Sequence, residues 1–461
     1  MLERLLLPEI KEMIQGARLH ELQEALEPWP PAEIAKLINE LDAEEELVVF
    51  RLLPRDLAAE TFEYISAEKQ QEILESLTQD TSRLTHLLND LSPDDRTALL
   101  EELPGTVAQR LISMLSPEER RITTTLLGYP EESIGRLMTP DYVALYKEWT
   151  VQQSLEYIRK HGKDSETLNM IYVVDEHGNL IDDFRVRRLL LAEPDTPITE
   201  LMDDQYNSLK AYDDQELAIK VFRDYDRVAL PVTDSRGMLI GIVTIDDVLD
   251  VAEEEATEDI QKIGGSDVLE KPYLNASFGN LVGSRSKWLI VLFLGQLLTA
   301  TAMSHYESFI ALVPVLTIFI PLIISSGGNS GSQAATLIIR SLSIGEVKLR
   351  DWWQVIRREV FSGLALGSIL GILGFLRVAA WEWFFGAYGA NWLIISLVVG
   401  TSLVGVVMWG TISGSMLPFV LQRLGADPAA SSAPFVATMV DVVGLVIYFT
   451  VAAIFMSGLA L

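Results

Sequence analysis

The chain of 461 residues contains no cysteine. That absence removes disulfides, thiolate metal sites and cysteine nucleophiles, and it fits a reducing compartment for any soluble part. Basic side chains are scarce: 36 Lys and Arg stand against 65 Asp and Glu, for a net charge of −29. So acidic a chain makes a poor partner for nucleic acid, which needs a basic patch, and cations are its natural partners. No Gly-x-x-x-x-Gly-Lys-Ser/Thr sequence occurs, so machinery for ATP hydrolysis is missing. The opening Met1–Met13 lacks the apolar core of a signal peptide and carries charge every few residues. His20 and His86 are isolated, and no nucleophile–base pair or cofactor motif points to an enzyme.

What is present divides sharply. From Arg285 onward there are seven acidic and nine basic residues, so the negative charge sits almost entirely in residues 1–284. The remainder holds five apolar runs, at about 288–306, 308–340, 356–380, 391–421 and 433–460. Each is long enough for a membrane span, which needs about 20 apolar residues. Loop charges orient them. Arg285 and Lys287 precede the first run, Arg340, Lys348, Arg350, Arg357 and Arg358 lie between the second and third, and Arg423 follows the fourth. A cytosolic N-terminal region and an external C-terminus in the cell membrane satisfy the positive-inside rule, with Trp381, Trp383, Tyr388 and Trp392 as the outer aromatic belt.

The second run is interrupted by Pro314 and Pro321, and Ser325–Gln333 follows, rich in Gly and Ser with Asn329 and Gln333. Broken backbone at that depth is expected only where it lines a wet cavity; close helix packing is the competing use of such small residues. The fifth run carries Asp441, the only charge between Ala433 and Leu461. A carboxylate there costs about 3 kcal/mol to insert, so it is expected to face a pore, a partner or an ion. One carboxylate with amide and backbone oxygens is a hard-cation set. Mg²⁺ suits it because it keeps several waters around one or two protein carboxylates.

The soluble part contains two internal repeats. Pro54-Arg55-Asp56 and Ser92-Pro93-Asp94 are 38 positions apart, as are Ser66 and Pro104, and Thr78 and Ser116. Each opens a short run with helical apolar spacing, and Ser before Pro reads as an N-cap with Pro at the first helical position. A helical solenoid over residues 1–130 follows. In residues 131–251, Leu137-Met138-Thr139 recurs as Leu201-Met202-Asp203, and Tyr172–Asp175 as Pro231–Asp234. Each copy reads helix, strand, strand, helix and resembles a CBS module, whose Gly…Thr-x-x-Asp element holds an adenosine ribose. The second copy has Gly241, Thr244 and Asp247, whereas the first has Asp182, Arg185 and Arg188 in those places. Tyr172, Arg187, Thr244 and Asp247 are the nucleotide candidates.

From Asp246 the chain becomes one acidic helix leading through Gly264-Gly265 toward the first span, so 252–284 reads as a connecting segment and 285–461 as the membrane domain. Asp247, Asp250, Glu254 and Glu258 share a helical face, where like charges repel. Divalent cations would neutralise that face against other acids. The candidates are Asp246, Asp247, Asp250, Glu254, Glu255, Glu258 and Asp259 on the helix, with Asp94, Asp95, Asp213, Asp214, Glu216, Asp224, Asp226 and Asp427 elsewhere.

The order of solenoid, paired CBS, acidic connecting helix and five spans is similar to the MgtE-type magnesium channels. The most specific pieces are Gly327-Gly328-Asn329-x-Gly331-x-Gln333 and Pro434-Phe435-x-x-Thr438-x-x-Asp441-x-x-Gly444-x-x-x-Tyr448-Phe449. The resemblance implies a homodimer whose pore is lined by the second and fifth spans, with hydrated Mg²⁺ held against Asp441. It also implies Mg²⁺ bound between the cytosolic domains and the connecting helix to shut the pore, and ATP binding to the CBS pair in some members. Expected around the pore ion are Asp441, Asn329, Gly328, Ala437 and Thr438. The competing expectations are a broader Mn²⁺, Co²⁺ or Ca²⁺ transporter and a membrane-anchored CBS nucleotide sensor without ion flux.

Overall fold

The computed structural model describes residues 2–16, 18–77, 81–269, 273–274 and 276–456. The Thr78 repeat start and the end of the fifth run beyond Met456 lie outside them. Contacts divide the chain into two compact units, residues 1–252 and 253–461.

The first unit opens with ten helices, α1 to α10, between Leu2 and Leu126. One apolar cluster runs from Ile10 to Leu115 along their inner faces, the continuous core of a solenoid. Ser116 caps α10 (Pro117–Leu126) as expected, accepting the Glu119 N–H at 3.2 Å. Ser92 departs from that expectation: no backbone N–H reaches its hydroxyl, which donates to the Asp95 carboxylate instead. That ties Asp95 to the start of α8 (Pro93–Glu102), where the helix dipole favours negative charge.

After the one-turn helix α11 (Ile134–Leu137), the paired repeat folds as two similar three-stranded sheets. The first has β1 (Ala144–Tyr146), α12 (Val151–His161), β2 (Met170–Val174), β3 (Leu180–Arg185) and α13 (Val186–Leu191). The second has β4 (Leu209–Lys210), α14 (Glu216–Tyr225), β5 (Ala229–Thr233), β6 (Leu239–Thr244) and α15 (Ile245–Ile263). In each, the first strand pairs in parallel with the second and the second antiparallel with the third. The short parallel strands β1 and β4 are additions to the helix–strand–strand–helix pattern. The two hairpin turns pair with each other: Leu180 N–H donates to Gly237 O and Leu239 N–H to Gly178 O, both at 3.0 Å. Gly178 (φ 81°) and Gly237 (φ 88°) occupy left-handed backbone there.

Among the described residues, the second unit carries five helices long and apolar enough to cross a membrane. They are α16 (Phe278–His305), a stretch from Pro314 through α18 (Ile320–Ser343), α19 (Trp352–Phe385), α20 (Trp392–Arg423) and α21 (Ala433–Met456), with the short α17 (Glu307–Leu312) after α16. The interruption expected in the second span exists, but it lies at Val313–Phe319, where a 3₁₀ turn follows α17. Pro321 sits in the first turn of α18, where a missing N–H costs nothing. Ser325–Gln333, expected as broken backbone, is continuous α-helix.

The physical reason is close packing. A Cβ on Gly327 would meet Val406 Cγ1 at 2.5 Å, and one on Gly331 would meet Gly410 O at 2.9 Å. The glycines of α18 let the backbone of α20 approach, which is how small residues drive association in lipid.

Candidate functional site

Thr438 and Asp441 are three residues apart on α21 and Ala437 four from Asp441, so the three share one face of the helix. They line a cavity of 620 Å³ whose other wall is α16, including Ser286, Ile290, Phe293 and Gln296. Asp441 is half-buried. No hydrogen bond or ion pair engages its carboxylate among the described residues. Arg377, near the outer end of α19, instead lays its guanidinium over the Trp381 ring, 3.2 Å from the centroid.

Gly328 faces α21: a Cβ there would meet Ala437 Cβ at 3.5 Å. Ser332 reinforces the contact, its hydroxyl donating to Ala433 O at 3.1 Å. Both Gly328 and Asp441 therefore adjoin the Ala437 turn. Asn329 does not line the Asp441 cavity; it is exposed on α18 together with Ser325, Gln333 and Thr336. These polar residues fall at spacings of four, four and three, which makes one stripe along the helix.

In the first unit a cavity of 680 Å³ is lined by twelve carboxylates and one lysine, Lys163. It brings together Asp94, Asp95, Asp246, Asp247 and Asp250, the solenoid acids and the start of the acidic helix, as the sequence suggested. It also brings in Glu63, Asp141 and Glu166, which sequence reasoning missed. Asp94 is 7% exposed and its Oδ1 has no hydrogen-bond partner among the described residues. Burial, then the neighbouring charges of Asp247 and Asp95, push its carboxyl well above the usual range. Burial likewise raises Glu63 to about 7, with Asp95 adding to it and the Ser92 N–H opposing. Asp247 is pushed up to about 7 by burial and by Asp246 and Asp95, against a 2.6 Å hydrogen bond from the Thr244 hydroxyl. Burial is the largest cause in all three, and the repulsion of neighbouring carboxylates adds to it.

Among the described residues no group of three or more His, Asp or Glu side chains converges tightly enough for direct metal ligation. A cavity with many dispersed carboxylates suits ions that keep their water, as Mg²⁺ does.

The remaining acids lie elsewhere. Asp214 precedes α14 and accepts the Glu216 N–H at 2.9 Å, and Asp226 ends that helix in left-handed backbone (φ 51°). None of the three lines the acidic cavity. Glu254, Glu255, Glu258 and Asp259 continue α15 into the second unit. There Asp427 accepts from Lys262 at 2.7 Å, and Asp259 accepts the Ser343 hydroxyl at 3.1 Å.

The nucleotide candidates separate. Thr244 and Asp247 belong to the acidic cavity, whereas Arg187 lines a 290 Å³ cavity with Arg185, Arg188, Arg227 and Asp183. Tyr172 is fully buried on β2, opposite Asp183 in the register, and its hydroxyl has no partner among the described residues. Asp182, standing where a CBS module has glycine, is buried and accepts N–H groups from Asp183 (2.7 Å), Asp203 (2.7 Å) and Asp204 (3.0 Å).

Comparison with known proteins covers the same parts. Residues 320–451 match the MgtE family model, described as a divalent cation transporter; 29–132 match the MgtE intracellular N domain, and 134–195 and 187–254 match CBS domains. The magnesium transporter MgtE of Thermus thermophilus is 39% identical over 460 residues, covering 99% of this chain and 100% of its own. That of Bacillus subtilis is 29% identical over 437 residues, 92% of this chain and 94% of its own. A crystal structure described as the cytosolic domain of the Mg²⁺ channel MgtE in complex with ATP is 38% identical, with a TM-score of 0.51. It covers 53% of this chain and 100% of that one.

Proposed function

The chain belongs to the MgtE family of divalent cation transporters, and from that premise we propose a Mg²⁺-selective channel for passive uptake, shut by cytosolic Mg²⁺. The observation that carries the proposal is Asp441: a carboxylate within an apolar span, facing a cavity, with no protein cation beside it. Membrane-embedded carboxylates of that kind mark ion paths. The drive is the membrane potential, worth about 4.6 kcal/mol per 100 mV for a doubly charged ion.

In this reading Asp441 attracts hydrated Mg²⁺, and Thr438 and the backbone near Ala437 and Gly328 contact its water shell. Asn329 reaches the path from the polar stripe on α18. That stripe cannot face lipid without cost, which supports a homodimer in which a second copy covers it and the passage runs between. The N-terminal unit is cytosolic and the C-terminus external, since the basic loops flank one side.

Closure rests on the acidic cavity. With Mg²⁺ scarce, its carboxylates repel and the start of α15 is released; with Mg²⁺ plentiful, ions hold Asp94 and Asp95 to Asp246, Asp247 and Asp250. This requires Mg²⁺ to bind the closed state more tightly than the open one. The four arginines of the Arg187 pocket, Arg185, Arg187, Arg188 and Arg227, make it a cationic pocket, and the ATP-bound relative supports a nucleotide phosphate there.

The test is flux through the purified protein in vesicles, with Mg²⁺ varied separately on each side. Expected is Mg²⁺ influx that stops as the cytosolic side is raised, with Mn²⁺, Co²⁺ and Ca²⁺ competing weakly. Equal permeation by those ions would make it a broad divalent transporter. Absence of any flux, with nucleotide still bound, would make it a membrane-anchored sensor.

A further inference from the structure

The first CBS repeat borders a charged cavity of the opposite sign, 290 Å³ in volume, whose walls set Arg185, Arg187, Arg188 and Arg227 against two carboxylates, Asp183 and Asp203. Two of the arginines are held. Arg227, which enters from the second repeat just before β5, donates from Nη2 to Asp183 Oδ1 at 3.0 Å, and that carboxylate is buried. Arg188 donates from Nη1 to Leu201 O at 2.9 Å and stands 3.3 Å from Asp203 Oδ2. Arg185 reaches only the Asp226 carbonyl, at 3.5 Å, and Arg187 is exposed with no partner among the described residues. Asp182 accepts the N–H groups of Asp203 and Asp204, which fastens the Asp203 wall to β3.

Charge, size and a missing partner decide what such a place can hold. Four guanidiniums against two carboxylates leave a positive surplus that suits a dianion, and the planar fork of Arg matches phosphate oxygens in pairs. The volume stands at the bottom of the range of about 300–1,000 Å³ usual for small-molecule sites, which favours a phosphate chain over a whole nucleotide. The ribose element is absent from this repeat: Arg188 stands where a CBS module has its carboxylate, and Asp182 where it has glycine. The second repeat keeps Gly241, Thr244 and Asp247, but Thr244 and Asp247 line the cavity of twelve carboxylates, whose field repels a polyanion. We propose that the arginine cavity of the first repeat is a phosphate site that reads the phosphate groups of its ligand and neither ribose nor base, so that pyrophosphate and the di- and triphosphates of any nucleoside are equivalent to it. A phosphate bound there joins Arg185 and Arg187 of the first repeat to Arg227 of the second. The inference rests on the nucleotide reading given above and narrows it to the phosphates.

Titration calorimetry on the full chain in lipid nanodiscs, in buffer free of divalent ions, tests it with pyrophosphate, ADP, ATP, GTP and adenosine. The four phosphate compounds are expected to bind within about threefold of one another, while adenosine neither binds nor displaces pyrophosphate. Arg187→Gln should weaken all four by about tenfold, the scale of one charge-assisted hydrogen bond. Arg187→Lys should stay within about threefold of wild type, because a point charge still serves a phosphate. Arg187 is exposed, so neither change disturbs the packing of the repeat. ATP binding without pyrophosphate binding, or a preference for ATP over GTP beyond about tenfold, overturns the proposal and leaves the nucleotide reading standing. Failure of every phosphate compound to bind overturns both. Wild-type affinity for pyrophosphate in Arg187→Gln puts the site outside this cavity and likewise overturns the proposal.

Discussion

Two cavities of similar size, 680 Å³ in the first unit and 620 Å³ in the second, gather negative charge in opposite ways. The first has twelve carboxylates; the second has Asp441 and otherwise apolar or neutral walls. The difference follows from the surroundings. In a cavity open to water, each carboxylate is screened, so many are needed to hold a divalent ion and the loss of any one is shared. Between membrane helices the dielectric is lower, and a single carboxylate dominates the potential along the path. A second one would also bind the ion too tightly to let it leave, since conduction needs weak enough binding for exit. In the proposed function one region senses a concentration and the other passes an ion, although both meet the same hydrated cation.

The sharpest way to break that contrast is Asp441→Asn. A doubly charged ion one water layer from a carboxylate in a wet site gains on the order of 3 kcal/mol, which is about a hundredfold in occupancy. Mg²⁺ uptake into vesicles at sub-saturating concentration should fall by that factor with the protein still folded. Uptake within a few-fold of wild type would mean that the membrane cavity does not depend on its one charge.

Single neutralisations in the acidic cavity should do far less. Asp247→Asn or Asp94→Asn is expected to raise the cytosolic Mg²⁺ needed for closure by about threefold to tenfold, roughly 1 kcal/mol of shared attraction. The double variant should depart from the sum of the two, because the two carboxylates interact within one cavity. Closure curves in the same vesicle assay decide it. A single variant that abolishes closure altogether would show that one acid dominates there too, and the comparison between the regions would collapse.

Much of this contrast is legible in the sequence, and the failures have physical causes. The repeated Ser-Pro starts and the duplicated Leu-Met segments mark the solenoid and the CBS pair because caps and turns are local events. Span length marks the membrane helices for the same reason. The glycine run of α18 reads equally as a break or as a close approach, and what decides is Gly410, some eighty residues on in α20. Asp94, Asp95 and Asp246–Asp250 are found as two dense acidic groups, but Glu63, Asp141 and Glu166 enter the same cavity from separate turns with no shared local pattern. Asp214, Glu216 and Asp226 are acidic in composition alone and lie outside the cavity. Lys262 looks in sequence like an ordinary basic residue closing a helix; its pairing with Asp427 arises only because the folded chain brings that residue near.

The smallest expected effect comes from pH, and it is specific to the acidic cavity. Glu63 and Asp247 sit at about 7 in the folded protein, well above their unfolded values near 4. A raised carboxyl means that the folded state holds its proton more tightly than the unfolded one. The charge on each therefore costs stability in full above pH 7, and the cost is relieved as pH falls from about 7 toward 4. Without Mg²⁺, the unfolding midpoint of the acidic region should rise between pH 8 and pH 6, by about 1 kcal/mol or 2–4 °C once coupling between the acids is allowed for. Mg²⁺ displaces those protons, so the stabilisation it adds should shrink over the same interval. Asp247→Asn should flatten the slope, whereas Asp441→Asn, in the other region, should leave it unchanged. Calorimetry across that pH range separates the cases: a midpoint that falls on acidification would mean that the cavity acids are already compensated by charge.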